Sequence, residues 1–467
     1  MSRLILRSSL VGGGAPASYF YGRNADYDPG PVTHYCDPTK STNGAGTLGD
    51  PYQPSQAMAL SVSVMKLHVL WLPGSVTLAS TADRHLPALR PTNSGTSAFR
   101  IVHRATNPAA YNISNLTQVR HSGGTGTGDG CPAFGFSGTD YVIFDGFYVD
   151  GSVAHYRGDT GYVVFHDCEN CEVHRSKILG ETVSVTVSPP TEDNHCGFRL
   201  DGTLNAGIKN CAVSGVRTFR TDTGVFSPSH NISCCMTYGC QGFWFIHNEF
   251  TGSNSSLYIK GSEPAGSVYN YGEIAFNKFD EGIENVILQD IDAVNRVNFH
   301  HNLITDYHTG LRLVTAGGSH GSNCDIDHNT WADQNSSSGT ASDSYVIEWT
   351  GPFDESTCTF TNNIVTMRDI VSGARLMTIA TPVSDIDRNL WYNGASDVRL
   401  EVNGAVATTI GDYRTAVSDE ANGAFGNPLF TSSSVFTTQA GSPAKTMGAG
   451  STEIGAYGLG TDGVGLQ

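Results

Sequence analysis

FWFIHNEF at 243–250, GEIAFNKF at 272–279, VNFHHNLI at 297–304 and CDIDHNTW at 324–331 are one pattern written four times. CEVHRSKI (171–178) and AGIKNCAV (206–213) precede them, and CTFTNNIV (358–365) and SDIDRNLW (384–391) follow. Six of the eight copies carry Asn at the sixth position: Asn248, Asn277, Asn302, Asn329, Asn363 and Asn389; the first two have Ser176 and Cys211 there. Three residues earlier the column reads Val173, Ile208, Phe245, Ile274, Phe299, Ile326, Phe360 and Ile386. Two residues after the turn it reads Ile178, Val213, Phe250, Phe279, Ile304, Trp331, Val365 and Trp391. Alternation before the turn is strand periodicity, and the break in phase at the turn marks a bend whose flanks both point into a core. Asn tolerates the left-handed conformation such a bend needs, and stacked Asn side chains can hydrogen-bond from coil to coil.

Successive Asn positions lie 25 to 34 residues apart, room for three short strands and their loops. A second strand type, GYVVFHD, GFRLDG, SLYIKG, NVILQD, GLRLVT and SYVIEW, falls between the copies. It forms the first strand of each coil and the Asn-ended run the second. The pattern predicts an all-β protein, a right-handed parallel β-helix solenoid. Cys171, Cys324 and Cys358 all fall five residues before a turn, as small core residues in one stack; metal or redox use of the eleven cysteines is not expected.

Open solenoid ends need covering. DPYQPSQAMALSVSVM (50–65) suits an N-terminal capping helix, and after Asn393 the chain turns rich in Gly, Ser and Thr. The expected division is an N-terminal arm, 1–30; the β-helix with its cap, 31–393; and a C-terminal closing segment, 394–467.

Composition agrees with this reading. The 467 residues are 39% hydrophobic and 15% charged, with 54 glycines, which favours turns and β-structure. A formal charge of -17, without a basic run, excludes a nucleic-acid partner. No apolar run of about 18 residues predicts a membrane span. Arg3 and Arg7 open the chain, but the apolar stretch behind them is broken where a signal-peptide core belongs. An extracellular or virion-associated location therefore needs another route, such as release by lysis.

THYCDPTKSTNGAGTLGDPYQPSQAM (33–58) resembles the opening of many bacterial and viral right-handed β-helix proteins, with its G-T-x-x-x-P-Y turn. GNPLFTSSSVFTTQAGSPAKTMGAGSTEIGAYG (426–458) resembles their closing motif in its N-P-L-F, G-S-P-A and I-G-A-Y elements. The resemblance implies a broad group holding polysaccharide lyases, glycoside hydrolases, phage tailspikes and non-catalytic surface proteins. Fold alone does not give the reaction.

Chemistry is therefore sought on the outer face. Outward positions of the first strand read His166, Asp201, Thr237, Lys260, Gln289 and Val314, with Arg199, Tyr258, Ile287 and Arg312 beside them. Arg199, Lys260 and Arg312 put three cations on one face of an acidic chain, suited to sugar carboxylates. Arg199, Asp201, His166 and Gln289 are the expected substrate-binding set. On the second strand, Glu273, Asn298 and Asp325 follow on successive coils, an oxygen ladder that suits Ca²⁺; an ordinary polar ladder is the other reading. His300 and Asp327 come beside each other in the next column, a carboxylate that can orient an imidazole.

In the chondroitinase B and alginate lyase family a Lys ending a first strand acts as base, a later Arg assists and nearby acidic residues bind Ca²⁺. Lys260 in SSLYIKGSEP resembles that Lys, whereas Ser255 and Ser253 stand five and seven residues upstream of it. β-Elimination needs a base and a cation for the uronate carboxylate. Lys260 or His300 is the expected base, Tyr258 the proton donor and Arg199 or Arg312 the neutraliser, with Asp327 supporting His300. The polygalacturonase-like pattern fits less, since Arg175-Ser176-Lys177 sits at a coil turn without its partner motifs. The pairs Asp290 with Asp292 and Asp325 with Asp327 keep a glycoside hydrolase open. The competing expectations are a polysaccharide lyase, a trimeric viral tailspike with or without hydrolase activity, and a non-catalytic glycan-binding solenoid. The groove is expected along the first and second strands, away from the third, walled by the loops PSHNISCC and AGGSHGSN.

Overall fold

The structure, a computed structural model, describes residues 30–62, 65–78, 86–106, 117–121, 134–151, 160–180, 195–209, 211–214, 219–220, 225–226, 233–253, 255–260, 271–289, 296–314, 324–334, 345–350, 358–367, 375–379, 385–394, 399–418, 420–457 and 464–465. Residues 1–29, the pair Asp290 and Asp292, the loop AGGSHGSN and most of PSHNISCC lie outside them.

One coil shows how the rest are built. Ser255–Lys260 is a first strand, Tyr271–Ala275 a second, and Lys278–Gln289 a third that runs on through Glu281 (φ 57°) into the next first strand. Second strands stack into one twelve-stranded parallel sheet, while first and third strands share a twenty-one-stranded one. The inward column Val173, Ile208, Phe245, Ile274, Phe299, Ile326, Phe360, Ile386 is continuous partner to partner. Every member is fully buried. The column after the bend, Ile178 to Trp391, is equally continuous. Phe250, Phe279, Phe299, Trp331, Phe360 and Trp391 form a stack of rings through the core, with centroids 5.3 to 6.2 Å apart. The chain is a right-handed parallel β-helix. No helix of the described residues is long and apolar enough to cross a membrane.

The bend itself differs from expectation in one respect. The left-handed residue is the one before the Asn: His247, Phe276, His301, His328, Asn362 and Arg388, all with φ between 54° and 60°. The Asn side chain instead turns inward, fully buried. Asn302 Oδ1 accepts from the backbone N–H and the Nδ2 of Asn277, and Asn302 Nδ2 donates to Asn329 Oδ1 and to Ile274 O. The same set repeats from Asn248 to Asn389, so buried amides satisfy one another and the bend's own peptide groups. At the last rung Glu420 takes over as acceptor, Oε1 from Asn389 N–H and Oε2 from Asn389 Nδ2.

A five-residue helix, α1 (Pro54–Met58), buries Ala57 and Met58 in the core beside the first coils. Beyond the last coil, α2 (Ile410–Val417) buries Tyr413, whose ring meets Trp391 edge-on at 5.7 Å. The chain then turns back. Ala456 N–H donates to Thr330 Oγ1, Gly455 N–H to Asn362 O and Gly465 N–H to Phe276 O. Phe436 and Ala456 pack on Leu303 and Ala332, and Ala444 and Ile454 on Ile364 and Leu390. The returning segment thereby covers the outer face of the third strands from Leu303 to Leu390. The ten described cysteines are all buried and unbridged.

Candidate functional site

With third strands covered, the remaining outer surface of these coils belongs to the first and second strands, where Arg199, Met236, Tyr258 and Ile287 are themselves buried while Lys260 and Arg312 are half-buried. On the first strands the column runs His166, Asp201, Tyr238, Lys260, Gln289, Val314. Tyr238 replaces the expected Thr237, which pairs with Leu200 and Ile259 and points inward, 1% exposed. The cause is local: Cys234 and Cys235 both face the core, so alternation is lost for one step and Met236, apolar, emerges on the outside. The glycine after each strand end gives the true register, Asp201-Gly202, Tyr238-Gly239 and Lys260-Gly261.

Lys260 extends over its neighbour, Nζ 5.1 Å from the centroid of the Tyr238 ring, a cation held against an aromatic face. Among the described residues it has no carboxylate partner. The adjacent column is Val164, Arg199, Met236, Tyr258, Ile287, Arg312, Glu348. Tyr258 lies in an outer apolar cluster with Cys196, Met236 and Ile287. Arg199 pairs with Asp201 at 3.2 Å and Arg312 with Glu348 at 3.0 Å. His166 meets Asp167 at 3.2 Å. The Gln289 side chain lies outside the described residues.

On the second strands the two expected columns are in register, Glu273–Asn298–Asp325 and Ala275–His300–Asp327. Their hydrogen bonds differ from the expected pairing. His300 Nε2 faces Glu273 Oε1 at 3.3 Å, and its Nδ1 faces His301 Nδ1 at 2.9 Å. Asp327 instead meets His328 Nδ1 at 2.7 Å and accepts from Thr361 Oγ1 and Asn362 Nδ2. Burial acts to raise the Asp327 pKa, but His328, Asn362 and Thr361 overcome it and hold the carboxyl at about 2. Asp325 accepts from Thr359 Oγ1 at 3.1 Å. Among the described residues no three His, Cys, Asp or Glu side chains converge as a metal-holding group.

Lys260 and His300 stand in different sheets, and no contact among the described residues joins them. The bend adds a feature that sequence reading missed. His247, Phe276, His301 and His328 stack ring on ring outside the Asn ladder, centroids 4.9 to 5.0 Å apart. Burial, then the neighbouring His300 and His328, push the His301 imidazole well below its ordinary pKa. The signal lay in the sequence, since each of these rings immediately precedes an Asn of the repeat, or its Phe equivalent does.

Fold and surface together define a parallel β-helix with a polar, partly cationic outer face along its first and second strands. No family model matches the chain, and no curated protein matches it. Among solved structures it is similar to a pectate lyase, Pel9A, at 12% identity over 91% of this chain and 95% of that one, with a TM-score of 0.48. It is also similar to a rhamnogalacturonan lyase, at 13% identity over 77% of this chain and 87% of that one, TM-score 0.46. A third is the tailspike protein of E. coli bacteriophage HK620, at 10% identity over 77% and 74%, TM-score 0.31.

Proposed function

We propose that this chain is a carbohydrate-active β-helix protein that binds a uronic-acid-containing polysaccharide and cleaves it by β-elimination. The observation that carries the reading is Lys260. It ends a first strand, faces outward over Tyr238, and has no carboxylate partner among the described residues. Arg199 and Arg312 stand in the next column, each two coils from Lys260 and paired with Asp201 and Glu348, and the third-strand side is occupied by the chain's own C-terminal residues.

In this mechanism the Lys260 amine removes the proton from the carbon bearing the uronate carboxylate. Arg312 or Arg199 neutralises that carboxylate as negative charge builds. The electron pair forms the ring double bond, the glycosidic C–O bond breaks, and the departing oxygen takes a proton from Tyr258, two residues before Lys260 on the same face and roughly 7 Å away. His300 is the less available group for this role, because Glu273 and His301 already engage both its nitrogens. The polymer is met outside the cell or at a virion surface.

Alginate, pectate, chondroitin and heparin, followed at the absorbance of the unsaturated product, test this directly. One of them is cleaved, and Lys260→Ala lowers the rate by about 10²–10³-fold. Silence on every uronate, or full activity in Lys260→Ala, removes the reading.

A further inference from the structure

Three of the described lysines lie on carboxylates: Lys40 on Asp50, Lys278 on Asp280 at 3.0 Å and Lys445 on Glu453 at 2.7 Å. Lys260 lies on a ring instead, its Nζ 5.1 Å from the centroid of Tyr238. Arg375, further along the same sheet, also stands over a ring, that of Tyr345 at 5.8 Å, but it reaches Glu401 as well. Lys260 therefore shares Arg375's aromatic contact and lacks, among the described residues, its carboxylate.

The contact follows from the register. Tyr238 and Lys260 are partners on adjacent first strands, with Asp201 before them and Gln289 after. In-register residues of neighbouring coils stand about 4.8 Å apart, so a lysine that reaches this ring leans upstream over Tyr238 instead of straight outward. Tyr238 is itself fixed. Its carbonyl accepts from Gly202 N–H at 3.0 Å and from Cys240 Sγ at 3.6 Å, and Gly239, left-handed at φ 61°, turns the chain immediately after it. Both side chains are half-buried. A salt bridge would also hold the lysine, yet it would place a carboxylate where the substrate's own carboxylate has to come. The ring holds the nitrogen through its quadrupole and adds no negative charge.

We infer that Tyr238 is the positioning residue for Lys260, its ring face fixing the nitrogen for proton abstraction. The inference rests on the proposed function, which makes Lys260 the base. A lysine stem is among the most rotamer-rich of side chains, and a base has to sit about 3 Å from the proton that it takes. Without the ring, Lys260 at its strand end would divide its time among many rotamers, few of them productive. The contact also survives the step. The proton moves from carbon to Nζ, the electron pair of the C–H bond stays with the carbon on its way to the double bond, and the cation so formed still faces the ring.

The test compares Tyr238→Phe, which keeps the ring face and drops the hydroxyl, with Tyr238→Leu, which drops the face; urea unfolding verifies that both fold as wild type does. On the uronan that wild type cleaves, Tyr238→Leu lowers kcat about tenfold with KM within about twofold, and Tyr238→Phe stays within about twofold in both. A second measurement needs no activity. Lysines are reductively methylated with isotope-labelled formaldehyde, and the Lys260 resonance is assigned by its absence from Lys260→Arg. The ring current displaces it upfield in wild type and Tyr238→Phe but not in Tyr238→Leu. A Tyr238→Leu enzyme with wild-type kcat, a Tyr238→Phe enzyme as slow as Tyr238→Leu, or a loss confined to KM overturns the inference. Cleavage by a wild type that lacks the upfield signal overturns the inference and leaves the proposed function standing. A wild type that shows the signal and cleaves no uronan ends both.

Discussion

Two ladders of side chains run along the same bend, back to back. Inside it stand Asn248 to Asn389, one residue type at six successive turns, fully buried and joined amide to amide. Outside it, one residue earlier in each copy, stand His247, Phe276, His301, His328, Asn362 and Arg388. The backbone is the same at every one of these outer positions. Only the inner column has to satisfy buried peptide groups, so only there is the residue type fixed. The outer column must tolerate a left-handed φ, which His, Phe, Asn and Arg all do here, and its four rings stack while Asn362 bonds to Asp327 and Arg388 pairs with Asp387.

If that contrast is right, the inner ladder is where single substitutions cost most. Asn302→Ala strands the backbone N–H and one Nδ2 hydrogen of Asn277 and takes the side-chain donor from Ile274 O, all buried, while Asn329 Oδ1 keeps the backbone N–H of residue 302. Each unsatisfied group costs about 1–3 kcal/mol, and the expected loss is roughly 5 kcal/mol in urea unfolding. A loss near 1 kcal/mol would show that water enters the ladder, and the contrast would weaken.

The ladder's last rung sharpens the comparison through pH. Burial pushes Glu420 from its ordinary 4.5 up to about 8, against the two donors of Asn389. With the folded value above the unfolded one, the folded state binds the extra proton between them. Stability contributed by this group is complete below pH 4.5 and is lost as pH rises to about 8, by roughly 4 kcal/mol at most. Glu420→Gln cannot titrate; it substitutes a fixed donor mismatch of about 1–2 kcal/mol. The difference between the two unfolding free energies therefore narrows or reverses from pH 4.5 to 8. Parallel curves would mean that Glu420 is ionised throughout.

The same contrast explains what the sequence discloses. Inward columns repeat because each coil faces the same core, so Val173 to Ile386 and the Asn series were readable by spacing alone, and the pairings match residue for residue. The outer face repeats only where something enforces it. Spacing puts Thr237 in the column that Tyr238 occupies, because two consecutive inward cysteines shift the alternation. Arg100 Nη1 donates to Glu172 Oε1 across 72 residues of sequence, and nothing local to either names the other. His300 and Asp327 were placed in the right columns, yet their hydrogen bonds went to Glu273 and His328, a choice of rotamer that spacing does not carry.

The smallest expected effect lies on the outer ladder, at His301. Its ring is stacked between Phe276 and His328, 6% exposed, and its Nε2 is buried without a partner among the described residues. Phenylalanine already occupies the equivalent place one coil earlier, at φ 58° against 55° for His301. His301→Phe therefore keeps the stack, keeps the backbone and deletes an unsatisfied nitrogen, at the expense of the Nδ1 contact with His300. Those terms oppose each other, and the net change at pH 8 is within about 1 kcal/mol. The pH dependence separates them. Burial and the flanking His300 and His328 hold the folded His301 well below 6.5, so the unfolded chain takes up the proton first, and this group's stability is lost as pH falls below 6.5. His301→Phe should equal wild type at pH 8 and surpass it at pH 5, measured by urea unfolding at both. A variant several kcal/mol less stable at pH 8 would make the outer ladder as exacting as the inner one, and the division between them would fail.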